Sequence, residues 1–156
     1  MKVCVIQPHY SFDPADLDSC FKGLLELLDK CDDSLDLIVL PEYSDAPADV
    51  KGKKGFYDAV DAYGEILLNK AKETALRCNA NVFVNCGFKT EKGVRNTTHA
   101  IDRKGNIVGR YFKAHPAPSE VKTDKQGGHE LDVDYSYEQN EPYVLELEGL
   151  RIGYLT

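Results

Sequence analysis

The sequence predicts an α/β protein built as a layered sandwich, and three observations carry that reading. The first half alternates strand-like and helix-like segments, a βαβα opening rich in valine, isoleucine and leucine. Its second strand, Leu37-Ile-Val-Leu40, is a run of apolar residues of the kind buried on both faces of a covered sheet. The second half then changes rhythm into short runs joined by glycine-containing turns, which is the pattern of β-hairpins. An opening that gives way to hairpins fits a layered sandwich better than a doubly wound sheet.

The elements follow in order. Lys2 to Gln7 alternates and reads as the first strand. Asp13-Pro14 starts a turn, and Asp16 stands where it can cap the next helix. Leu17, Phe21, Leu24, Leu25 and Leu28 then fall on one helical stripe that covers a sheet face. Leu35 to Leu40 is the second strand. A polar loop from Ser44 to Gly55 leads to a second helix carrying Val60, Leu67, Ala71, Ala75 and Cys78 on one side. Asn79-Ala-Asn81 ends it, and Val82 to Gly87 is the third strand. Arg95 to Asp102 and Ile107 to Phe112 form a hairpin around Arg103-Lys-Gly-Asn106. Ala114 to Glu141 shows no period, and a loop of that length is functional or mobile as a rule. Tyr143 to Leu147 and Leu150 to Thr156, joined by Glu148-Gly149, predict a second hairpin. The chain stops inside that apolar strand, so the expectation is of an N-terminal portion of a longer domain.

Composition narrows the function classes. The chain has 156 residues, 42% hydrophobic and 29% charged, as in an ordinary globular domain. A net charge of −7 argues against nucleic acid as partner, since such binding needs a basic face. No apolar run approaches the roughly 20 residues of a membrane span, and the N-terminus has no signal-peptide pattern, so a cytoplasmic protein with no membrane partner is expected. Five cysteines, Cys4, Cys20, Cys31, Cys78 and Cys86, show no C-x-x-C spacing and read as reduced structural thiols. The four histidines have no metal spacing; His115 is the one placed to line a pocket or to pack on Pro116. Glu130, Asp132 and Asp134 lack the glycine and closing glutamate of a calcium loop and read as a solvated acidic stretch. Gly127-Gly128 carries no phosphate-loop signature.

Two strand ends carry chemistry. Pro41 cannot join a ladder, so the second strand stops there and leaves Glu42 at its C-terminal edge, where sites in α/β proteins gather. Beside an apolar core its pKa is expected to rise, which suits a general base; an exposed glutamate after a strand is the plain alternative. The run Gly109-Arg-Tyr-Phe-Lys113-Ala-His-Pro116 ends another strand on a lysine. A lysine there supplies a cation for an oxyanion, or is a surface residue of an edge strand.

Together these blocks resemble the carbon–nitrogen hydrolase (nitrilase) superfamily. Leu37-Ile-Val-Leu-Pro-Glu42, Tyr111-Phe-Lys113-Ala-His-Pro116 and Leu150-Arg-Ile-Gly-Tyr-Leu-Thr156 look like consecutive blocks of that family. Val3-Cys-Val-Ile-Gln7 resembles its first strand; Arg95-Asn96-Thr97 with Asp102-Arg-Lys-Gly105 resembles its central hairpin. The resemblance covers essentially the whole chain. It implies the N-terminal part, residues 1–156, of a single four-layer α-β-β-α sandwich, and a Glu-Lys-Cys triad needing no cofactor. Glu42 matches the general base and Lys113 the oxyanion-stabilising lysine. The family's nucleophilic cysteine directly follows a strand like the last one here, and none of the five cysteines matches it, so residues 1–156 alone are expected to be inactive.

Many members carry a further catalytic glutamate between lysine and cysteine. Glu130, in Gly127-Gly-His-Glu130, has the usual separation and is the first choice; Glu120, in Pro118-Ser-Glu120, is the second. The resemblance thus implies hydrolysis of a small-molecule amide or carbamoyl compound by a homodimer or larger homo-oligomer. A non-catalytic binding or assembly module is the rival reading.

Overall fold

Two short apolar strands, three longer ones and two helices build one sheet with a helical cover. The computed structural model describes residues 1–121, 128–133 and 144–153. Residues 122–127, 134–143 and 154–156, which hold much of the expected loop from Ala114 to Glu141 as well as Gly127, Asp134 and Tyr143, lie outside the described residues.

Strands β1 (Val3–Val5), β2 (Leu37–Val39), β3 (Asn81–Thr90), β4 (Gly93–Ile101) and β5 (Ile107–Phe112) form one sheet in that order. β1, β2 and β3 run parallel, with Val3 beside Leu37 and Leu37 beside Asn81. β3, β4 and β5 are antiparallel, with Val82 beside Ile101 and Thr97 beside Phe112. The parallel pairs need helical crossovers, and α1 (Leu17–Asp29) and α2 (Gly52–Cys78) supply them.

Both helices cover the same face. Phe21, Leu24 and Leu28 of α1 meet Leu67, Ala71, Ala75 and Cys78 of α2 over Ile38, Val82, Val84 and Ile101. The other face carries Phe83, Ala100 and Tyr111, with Leu37 and Val39 against them. β2 is therefore packed on both faces, with Ile38 buried under the helices and Leu37 and Val39 half-buried on the other side. A hairpin of β6 (Val144–Leu147) and β7 (Leu150–Gly153) sets Leu145, Leu147 and Ile152 on this second cluster. Helices, sheet and hairpin make three layers of an α-β-β-α sandwich among the described residues. Glu148 and Gly149 both take positive φ, 51° and 78°, in the two-residue turn that the twist of a hairpin favours.

Several boundaries differ from the sequence expectation. α2 begins at Gly52, inside the predicted loop, and runs 27 residues. Asn79 ends it in the left-handed conformation, φ 49°. β3 does not stop at Gly87. It continues through the polar Phe88-Lys-Thr90, turns, and pairs directly with β4, because ladder hydrogen bonds override weak local propensity. Asp16 precedes α1 but makes no capping bond: its carboxylate accepts from Ser11 Oγ at 2.7 Å. Asp13 caps instead, accepting from the Ala15 amide at 2.9 Å in the turn ahead of the helix. No helix among the described residues is long and apolar enough to cross a membrane.

Candidate active site

Pro41 stops β2, and the chain then folds back sharply. Ser44 Oγ donates to the Pro41 carbonyl at 2.6 Å, and Tyr43 adopts φ 53°, a conformation that tyrosine rarely takes. Such strain persists only where neighbours impose it. Asn85 of β3 does so: its Oδ1 accepts from the Tyr43 amide at 2.8 Å, and its carbonyl accepts from the Ser44 amide at 3.1 Å. The turn places Glu42 at the C-terminal edge of the sheet.

Lys113 reaches the same edge by register. Its amide donates to the Asn96 carbonyl at 3.0 Å, so the β4–β5 ladder continues one residue past Phe112. With a period of two, Lys113 shares the face of Tyr111, away from the helices. Its Nζ lies 2.8 Å from Glu42 Oε1.

Glu120 completes the group. Pro118 opens a single helical turn, α3 (Pro118–Val121), and Glu120 reaches back to accept from the Ala117 amide at 2.5 Å. This is the glutamate half of a capping box, and it aims the carboxylate into the site. Glu120 Oε2 lies 2.9 Å from Lys113 Nζ, and Oε1 accepts from Tyr43 Oη and, at 3.0 Å, from Asn96 Nδ2. The same Asn96 nitrogen donates to Glu42 Oε1 at 2.6 Å.

Exposure grades the three groups. The side chains of Glu120, Lys113 and Glu42 are 4%, 12% and 38% exposed. Burial alone would push Glu120 up, but hydrogen bonds from Tyr43, Lys113, the Ala117 amide and Asn96 hold it below its ordinary value. Burial alone would push Lys113 down, but the two carboxylates hold it above. Lys113 is therefore a cation and Glu120 an anion at neutral pH. Glu42 does not sit in the apolar surroundings expected of it. Its neighbours are the Lys113 ammonium and the Asn96 amide, and both donate to Oε1.

The structure brings Glu42 and Lys113 together and adds Glu120, not Glu130. Glu130 projects toward α2, where its carboxylate lies 3.4 Å from Lys53 Nζ and is half exposed. Spacing along the chain favoured Glu130, but the Pro118 turn returns Glu120 to the lysine only seven positions on. The motif Pro118-Ser-Glu120 was the available signal. Tyr43, Asn85 and Asn96 escaped the sequence reading of the site, although two asparagines in adjacent strands, on one face, were a signal too.

The remaining candidates resolve differently. Asp132 is not part of a solvated acidic stretch: it is buried and accepts from Arg95 Nε at 3.0 Å. His115 is exposed, whereas His129 stacks on Phe56 with ring centroids 4.4 Å apart. All five cysteines are free; Cys31, Cys78 and Cys86 lie in the helix-side core. Burial raises their thiols, Cys31 to about 11, which suits packing rather than attack. Among the described residues no group of three or more His, Cys, Asp or Glu side chains is arranged to hold a metal ion.

This fold is shared with solved structures of carbon–nitrogen hydrolases and amidases. The chain superposes on XC1258 from Xanthomonas campestris, a CN-hydrolase superfamily protein, with a TM-score of 0.60 and 21% identity over 97% of this chain and 51% of that one. It superposes likewise on a carbon–nitrogen hydrolase from Helicobacter pylori G27, with a TM-score of 0.57 and 20% identity over 83% of this chain and 43% of that one. An amidase from Nesterenkonia sp. matches with a TM-score of 0.59 and 17% identity over 99% of this chain and 54% of that one. The chain thus spans about half the length of these solved structures. No family model matches the sequence, and no curated protein matches it.

Proposed function

We propose that the protein hydrolyses a non-peptide carbon–nitrogen bond, that of a small linear amide or carbamoyl compound, through a cysteine thioester. The observation that carries this is Lys113 held between Glu42 and Glu120 at the C-terminal edge of the sheet. An ammonium fixed by two carboxylates is a preorganised electrostatic group, and a carboxylate with one oxygen tied down is a directed base. The fold supports the reading, as does the order of the sequence blocks that resemble the family.

The thiol comes from a residue following β7, as the resemblance implies. Glu42, anchored through Oε1, takes the thiol proton on Oε2. The thiolate attacks the amide carbonyl, and Lys113 stabilises the oxyanion that forms. Collapse breaks the carbon–nitrogen bond, and Glu42 gives its proton to the departing ammonia or amine. A thioester remains. Water then attacks it while Glu42 accepts the water's proton, and the second collapse returns that proton to the thiolate and releases the carboxylic acid. One carboxylate works as base and acid in each half-reaction. Glu120 keeps Lys113 charged and in place. The reading carries with it a homodimer or larger assembly.

The test is ammonia or amine release from a panel of linear amides by the full-length protein, beside its Glu42→Gln variant. Loss of turnover by a factor of about 10² or more in the variant is expected. Normal turnover in Glu42→Gln would sink the role given to Glu42.

A further inference from the structure

Two asparagines form a one-way relay into this site. The Tyr43 backbone N–H can only donate, and it points at Asn85 Oδ1 at 2.8 Å. That contact decides which way the Asn85 amide faces. Its Nδ2 must then point across the sheet, where it donates to Asn96 Oδ1 at 2.8 Å and Thr98 Oγ1 at 3.0 Å. Asn96, diagonal to Asn85 in the β3–β4 ladder, is oriented in turn: its oxygen is taken, so its nitrogen faces the carboxylates. Both of its hydrogens are spent there, one on Glu42 Oε1 at 2.6 Å and one on Glu120 Oε1 at 3.0 Å. The direction of every amide in the chain follows from one backbone N–H.

Two carboxylates that share a site with a single lysine resist ionising together. A second, uncharged donor touching both lessens that repulsion without adding a charge that would compete with Lys113. We propose that Asn96 is a positioning residue: it holds Glu42 and Glu120 ionised side by side around Lys113 and reserves Glu42 Oε2 for proton transfer. The inference rests on the proposed hydrolase reading and deepens it. Aspartate has the same shape as asparagine but no donor, and a third negative charge. Alanine removes the donor without adding charge, and with it the oxygen that accepts from Asn85 Nδ2. Serine keeps a single donor. Besides Asn96, the groups that face the pair are Lys113 at the end of β5, Tyr43 in the turn after β2, and His129 in the segment 128–133.

The experiment is a ¹³C titration of the glutamate carboxyl carbons in the full-length protein, its resonances assigned with Glu42→Gln and Glu120→Gln, repeated in Asn96→Asp, Asn96→Ala and Asn96→Ser. Relative to the parent, at least one of the two carboxyls titrates about one pH unit or more higher in Asn96→Ala. The shift is larger in Asn96→Asp and smaller in Asn96→Ser. The acid limb of kcat/KM moves with it, and kcat falls while KM changes little. Carboxyl titrations that stay in place in whichever of the three variants fold would overturn the inference, even if activity dropped, because a merely structural loss leaves those positions alone. A parent that hydrolyses no amide would instead sink the proposed function and leave the titration result standing.

Discussion

Glu120 Oε2 stands 2.9 Å from Lys113 Nζ, and both side chains are almost withdrawn from solvent. That contact separates the two candidate glutamates. Glu120→Gln removes the charge that sustains Lys113 and is expected to lower kcat/KM by a factor of about 10² or more. Glu130→Gln weakens a half-exposed contact with Lys53 and is expected to leave turnover within about threefold. Steady-state kinetics of both variants in the full-length protein decide it, and the reverse ranking would restore Glu130.

Arg95 and Asp132 are 0% and 2% exposed and form an ion pair, with the guanidinium also 4.9 Å from the Phe112 ring. Removing one partner strands a buried charge. Asp132→Leu alone is expected to cost about 3–5 kcal/mol. Adding Arg95→Met recovers most of it, since an apolar pair of similar volume needs no desolvation. Urea denaturation of the single and double variants provides the check, and additive losses would contradict it.

Asp45 is fully buried, with one oxygen accepting from the Gly87 amide at 2.8 Å and the other lacking a hydrogen-bond partner. Burial pushes its carboxyl up to about 6 from an ordinary 3.8. The sign follows from the folded form holding the proton more tightly than the unfolded chain. Asp45 contributes most below about pH 4. Stability is lost as pH rises from about 4 to about 6, and the loss levels off above, at up to about 3 kcal/mol. Asp45→Asn cannot titrate. The stability of the variant relative to the parent should therefore climb across that window, and a difference independent of pH would refute the assignment.

Gly87 lies where α2 presses on the sheet. A Cβ there would come 2.6 Å from Val60 Cγ2 and 2.9 Å from Val94 Cγ1. Gly87→Ala is expected to cost about 1–3 kcal/mol through overpacking. Val60→Ala in the same chain should return part of that loss, although Val60→Ala alone destabilises. Thermal denaturation of the three variants tests the coupling, and simple additivity would show that the contact is not the cause.

Much of the fold was legible because it rests on periodicity. The helical stripe from Leu17 to Leu28 formed within one helix, and the apolar run before Pro41 formed one strand, shorter than its Leu35 to Leu40 reading at Leu37–Val39. The β3–β4 pairing was not legible in full, because Phe88-Lys-Thr90 has no strand pattern of its own and is held by its partner. Within the site, Glu42 and Lys113 stand out because each ends a strand, which is a local feature. Glu120 depended on a turn only four residues long.

Sequence alone determined the layered α/β architecture, the two strand ends that carry charge, and the resemblance to carbon–nitrogen hydrolases. Tertiary structure alone decided which glutamate meets Lys113, that Asp132 is buried against Arg95, and that Asn85 and Asn96 are wired to the carboxylates. The reason is physical. Periodicity and strand-stopping residues act between neighbours in the chain, whereas hydrogen-bond direction and burial arise only when distant segments meet.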